Sequence, residues 1–253
     1  MTLLNWMGLI STIVLFIPIA LLLICGLAWY RSLPALLFYY LFVFAYNLIT
    51  LSYGMGSNEA VPLYYRIGNH LLEVPAMLLF FTYFSTTVSF RKNLISATLI
   101  FMVFEVVIVA VYGFTGKAIT IIRAPGLLMI LALSGLFFFH QVKIAVIYHK
   151  AIGKAIMIAS LLFAYAGYTF VYIVESIFSN AYNKDAYLIY CLVTIVTSIP
   201  MAVGIMFERK RVQQLSELQV TREELKKIYG ESGTETSIPF GTVALNYDKD
   251  QWN

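Results

Sequence analysis

The stretch AYLIYCLVTIVTSIPMAVGIMFERKR, residues 186–211, decides how the chain is read. From Ala186 to Phe207 no side chain is charged; then Glu208, Arg209, Lys210 and Arg211 arrive together. A helix needs about 20 mainly apolar residues to cross about 30 Å of hydrocarbon, and this run supplies them and then stops. Just upstream, a second apolar run places Tyr165, Tyr168, Tyr172 and Glu175 at spacings that keep them on one helix face. Downstream of Arg211 the chain turns polar. The junction therefore joins a membrane bundle to something beyond it.

Composition agrees. The chain has 253 residues, 60% of them hydrophobic and only 12% charged, with a mean hydropathy of +0.82. Soluble domains are about 45–50% apolar and about 25% charged. That charge deficit leaves too little polar surface to face water, so lipid is the expected solvent. The net charge of +4 is spread between apolar runs, which suits topology signals and argues against a nucleic-acid surface. Cys25 and Cys191 both lie inside apolar runs and read as small packing residues. Met1 to Trp6 carries no basic residue, so the N-terminus reads as a first span and not as a cleavable signal.

Seven spans are expected: Gly8–Tyr30, Pro34–Tyr53, Ile67–Phe90, Leu94–Phe114, Ile121–Lys143, Lys154–Phe178 and Ala186–Phe207. Only Arg31 and Ser32 separate the first two cleanly, which implies a tight hairpin. Pro18, Pro75 and Pro200 fall inside spans as tolerated kinks, whereas Pro34 and Pro125 fall near helix starts. The odd-numbered loops and the C-terminal exit carry nine Lys and Arg, the even-numbered loops four. The positive-inside rule then puts the N-terminus outside and the C-terminus in the cytoplasm.

The expected fold is all-α: a seven-helix transmembrane domain over 1–208, an amphipathic or coiled-coil helix over 209–230, and a disordered tail over 231–253. Val212, Leu215, Leu218 and Leu225 form the apolar stripe of that second segment, the candidate surface for a cytoplasmic protein or a second copy. Thr221-Arg-Glu-Glu224 has the form of a capping box, which predicts a break near Gln219.

Ionisable groups inside spans are costly and mark function by default. In the expected orientation they gather toward the outside: Asn47 in span two, His70 and Glu73 three residues apart in span three, Glu105 near mid-span four, Arg123 at the start of span five, and Glu175 near the end of span six. The inner half holds almost none. With Tyr168 and Tyr172 these residues outline an aromatic-walled polar pocket open to the outside. A structural network fits as well, with Arg123 and Glu175 paired and the tyrosines held at the interface by partition. His140 and His149 flank the opposite end of span five as interface residues, so no three-His metal set forms, and no cofactor is expected. A nucleophile elbow, a phosphate-cradling Gly-rich loop, HExxH and a retinal-bearing lysine in span seven are all missing.

Seven spans, short loops, an outside N-terminus and a helix leaving through Glu208-Arg-Lys-Arg211 resemble the membrane sensor modules of bacterial signalling proteins, a resemblance covering residues 8 to 229. It implies an inner (plasma) membrane receptor or regulatory protein. The chain departs from that pattern after Tyr229, where too few residues follow for a kinase or DNA-binding domain. The resemblance assigns no site residue. A small transporter or channel using the same polar residues, and a lipid enzyme with His70, Glu73 and Glu105 as acid–base groups, are the competing readings.

Overall fold

A computed structural model of the chain describes residues 3–53, 60–85, 87–148, 151–178 and 183–230. The described residues form seven helices and no strand: α1 Leu3–Ile24, α2 Leu33–Tyr53, α3 Ala60–Phe81, α4 Val88–Tyr112, α5 Gly116–Tyr148, α6 Ile152–Phe178 and α7 Asn183–Gly230. All but α3 are long and apolar enough to cross a membrane; the apolar part of α3 is the shorter Ile67–Phe81. In hydrocarbon every backbone N–H and C=O must be satisfied within the chain, and the helix is the local way to do so.

Neighbouring helices close a ring in the order α1, α2, α3, α5, α6, α7 and back to α1, with α4 lying outside against α3 and α5. The ring is filled by Leu22, Leu36, Met77, Leu78, Phe80, Phe81, Ile130, Met157 and Tyr165, all sealed from solvent. Outward faces are apolar too: Ile13, Phe16, Leu99, Ile100, Val103, Val106, Leu136 and Phe170 are exposed. Ser160, Thr194, Thr197 and Ser198 are buried instead. Apolar residues on the outside and hydroxyls on the inside match a lipid environment.

Small residues set the closest approach. A Cβ on Gly153 of α6 would lie 2.7 Å from the Glu208 nitrogen and 2.8 Å from the Gly204 carbonyl oxygen of α7. One on Gly204 would lie 2.6 Å from Met157 Cγ. The two backbones therefore touch, as small residues permit between helices in lipid. Gly167 against Val193 repeats the device nearer the other end. Ser160 Oγ stitches the pair by donating to the Thr197 carbonyl at 2.6 Å. α6 and α7 thus form one rigid unit.

Several expectations are corrected. α3 stops at Phe81, a turn follows, and Thr87 caps α4 by accepting from the Phe90 amide, so the third apolar run divides between two helices. α1 stops at Ile24, leaving a connection over 25–32 instead of a two-residue hairpin. α5 starts at Gly116, which puts Pro125 inside it. No break occurs near Gln219: Thr221 donates its hydroxyl to the Glu217 carbonyl within α7 and caps nothing. α7 runs unbroken for 48 residues, about 72 Å at 1.5 Å per residue. The tail over 231–253 and His149 lie outside the described residues.

Candidate functional site

Two polar zones lie inside the ring, one around Glu73 and the α6 tyrosines and one at Glu208. In the first, α3 presents Glu73, whose Oε2 is 3.2 Å from the Nδ1 of His70 one turn away at the α3–α4–α5 side. α6 presents Tyr165 and Tyr168 inward, both buried, with their rings edge to face at 5.8 Å. α7 answers with Tyr190, 5.4 Å from the Tyr168 ring, and with Thr194, whose hydroxyl shares a 3.2 Å hydrogen bond with that of Tyr168. α2 contributes Tyr39 and Tyr40, also buried. The Tyr165 hydroxyl faces Tyr39 and Glu73 without completing a hydrogen bond among the described residues. Space remains between Tyr39, Tyr165, Tyr168, Ser160 and Thr194 for about one water.

Of the expected pocket residues, Asn47, Glu73, Glu105 and Tyr168 are buried and His70 nearly so. Arg123 lies over the Tyr172 ring, its guanidinium carbon 5.5 Å from the centroid, and the Tyr172 hydroxyl donates to the Thr120 carbonyl at 3.2 Å. Those two contacts tie α5 to α6. The Glu175 side chain lies outside the described residues. Glu105 belongs to a different seam, on the buried face of α4 with Leu94, Thr98 and Phe101. Its Oε1 has no hydrogen-bond partner among the described residues.

The second zone was missed by sequence reasoning, which expected that half of the bundle to be nearly free of buried charge. Glu208 is completely buried. Its Oε1 accepts from Arg211 Nε at 2.8 Å and Nη2 at 2.6 Å, and from the Tyr83 hydroxyl; Oε2 is buried without a partner. Lys154, buried in the first turn of α6, donates to the Tyr83 carbonyl at 3.2 Å and sits 4.4 Å above its ring. Gln141 of α5 reaches the Phe84 carbonyl at 3.4 Å, and Ser32 meets Thr82 at 2.5 Å. The turn after α3 is thus gripped from three sides. Burial beside the Glu208 carboxylate pushes the Tyr83 hydroxyl above its ordinary value, so it remains a donor. The only sequence signal was the spacing of Glu208 and Arg211, which puts them on one face of a helix.

Between the two zones Phe80, Met157, Ile158, Met201 and Ile205 form a buried apolar layer. Beyond Glu208 the helix emerges: Val212 still packs against the core, whereas Leu218 and Leu225 are exposed. No group of three or more metal-ligating side chains occurs among the described residues. A comparison with protein families, curated proteins and solved structures finds no match to this chain.

Proposed function

We propose that the chain is an integral membrane sensor or regulatory protein whose output element is α7. The observation that carries the reading is continuity: one helix runs from Tyr190 and Thr194 in the tyrosine-lined layer, through the Glu208 clamp, to the exposed Leu218 and Leu225. A bilayer takes up only about 20 residues of a helix, so more than half of α7 is left to act outside it. The helix continues through Pro200, so a tilt or rotation at the tyrosine layer moves the far end as well.

In this reading the bundle crosses the plasma (inner) membrane seven times, with α3 the shortest crossing, the N-terminus outside and the C-terminus in the cytoplasm. Val212, Leu215, Leu218 and Leu225 meet a cytoplasmic protein or a second copy. α6 and α7 are locked at Gly153 and Gly204, so the moving body is the pair. The pair is flanked in the ring by α1 and α5 and faces α2 and α3 across it, through Tyr39, Tyr165 and Glu73. The buried apolar layer of Phe80, Met157 and Met201 argues against a solute path along the bundle axis.

The test is truncation after Arg211. The shortened bundle keeps its thermal unfolding temperature in detergent but loses association with its partner or second copy, read by chemical cross-linking in native membranes. If the truncated bundle associates as before, α7 is not the output element.

A further inference from the structure

A second site lies outside the ring, between α3, α4 and α5. A crevice there has apolar walls of Ile67, Leu71, Val109, Ile119 and Ile122, and one polar wall residue, His70. Its floor follows from the helix register. A Cβ on Gly126 of α5 would meet Val74 of α3 at 2.5 Å and Phe101 of α4 at 3.3 Å, so the three helices close tightly at that level. One turn along toward the crevice, α3 carries His70, α5 carries Ile122 and α4 carries Glu105. Glu105 therefore lies one turn below Val109, beneath the crevice and not among its lining residues, on the face of α4 turned to the bundle.

Charge decides what fits. The His70 imidazole is held by Glu73, and Arg123 stands over Tyr172. Glu105 is buried, and its Oε1 is unpartnered among the described residues. A carboxyl group at mid-span without a counter-charge is expensive and calls for a donor or cation. The outward face of α4 is apolar, with Val106, Val107 and Val111 exposed. α4 is also the least buried of the six long apolar helices, so it is the wall that yields.

We infer that this crevice, which as it stands has room for about one water and stops short of Glu105, opens by displacement of α4 to bind a lipophilic amine that enters sideways from the bilayer, its alkyl part along Ile67, Val109 and Ile119 and its ammonium on Glu105. Binding itself does not depend on the sensor reading; only its consequence for α7 rests on that reading.

The test uses the full chain in phosphatidylcholine nanodiscs and a diazirine-bearing dodecylamine. After photolysis, label is expected on peptides holding Ile67–Leu71, Val109–Gly113 and Ala118–Ile122. Unlabelled dodecylamine competes, and dodecanol competes at least tenfold less well. Glu105→Gln lowers the specific labelling at least tenfold, and Val109→Trp, which fills the crevice and keeps the carboxyl, does the same. Should Glu105→Gln not fold, Val109→Trp and the two competitors still decide. Even labelling over all lipid-facing helices, labelling indifferent to a folded Glu105→Gln or to Val109→Trp, or equal competition by dodecanol overturns the site. Specific labelling alongside a failed truncation test would remove the sensor reading and leave the site standing; the converse would remove only the site.

Discussion

The Tyr83 hydroxyl, in the turn between α3 and α4, donates to the Glu208 carboxylate 125 positions further along the chain. This contact joins the α3–α4 turn to the point where α7 leaves the bundle. Removing one partner of a buried charged pair costs more than the pair itself is worth, because the other charge is left without compensation. Glu208→Ala leaves Arg211 and Lys154 facing no carboxylate and is expected to cost about 3–5 kcal/mol. Tyr83→Phe leaves the Arg211 pair intact and is expected to cost about 1–3 kcal/mol. Unfolding of both variants in mild detergent, combined with the double variant, measures the coupling. Additive effects would mean the contact contributes nothing.

The glycines offer a sharper contrast. Gly153→Val pushes a branched side chain into the Glu208 nitrogen and the Gly204 carbonyl, where backbone rather than a flexible side chain must yield. The loss is expected to reach at least the upper end of the about 1–3 kcal/mol usual for overpacking. Gly135 in α5 meets nothing within 4 Å of an added Cβ, and Gly135→Ala is expected to stabilise by up to about 1 kcal/mol through helix propensity. Similar effects at the two positions would show that α6 and α7 are not locked at Gly153 and Gly204.

Apolar run length was enough to read the six long apolar helices but misjudged α3, whose apolar part stops at Phe81; a chain in lipid must satisfy its backbone locally and shows its apolar outer face in composition. The tyrosine stripe was legible too: Tyr165 and Tyr168 are three apart and both turn inward, with Tyr172 at the edge of the core. Lys154, Glu208 and Arg211 were not. At the border of an apolar run such charges ordinarily face water and report orientation, and nothing in the spacing of Lys154 shows that it folds over Tyr83. Tyr39 and Tyr190 went unnoticed for a related reason: a tyrosine in an apolar run reads as an interface residue until its neighbours are known. Gly126 and Glu105 share a seam only because α4 lies outside the ring, a fact of topology that helix periodicity does not carry.

Continuity of α7 past Glu208 makes its own demand. Thr221→Pro removes a backbone donor from an exposed part of that helix and blocks the preceding turn, costing about 3 kcal/mol locally. The bundle above Arg211 does not depend on that turn, so thermal unfolding of the membrane core should hold within about 0.5 kcal/mol. Helical content beyond Gln219, read by circular dichroism, should fall, and association through Leu218 and Leu225 should fall with it. Association that survives the break would separate binding from the rigid lever.

Glu105 sets stability against use. Its carboxyl is buried, and Oε1 is left without a partner among the described residues. Burying a polar group without a full set of hydrogen bonds costs about 1–3 kcal/mol, a cost that an apolar side chain of similar size does not carry. Glu105→Met is therefore expected to unfold at a temperature equal to or above that of the parent chain, while losing the dodecylamine labelling. That pair of results would mark a residue kept at a cost to stability for what it binds. A clear fall in unfolding temperature would instead make Glu105 a structural member of the α3–α4–α5 seam, held by the fold and not by a ligand.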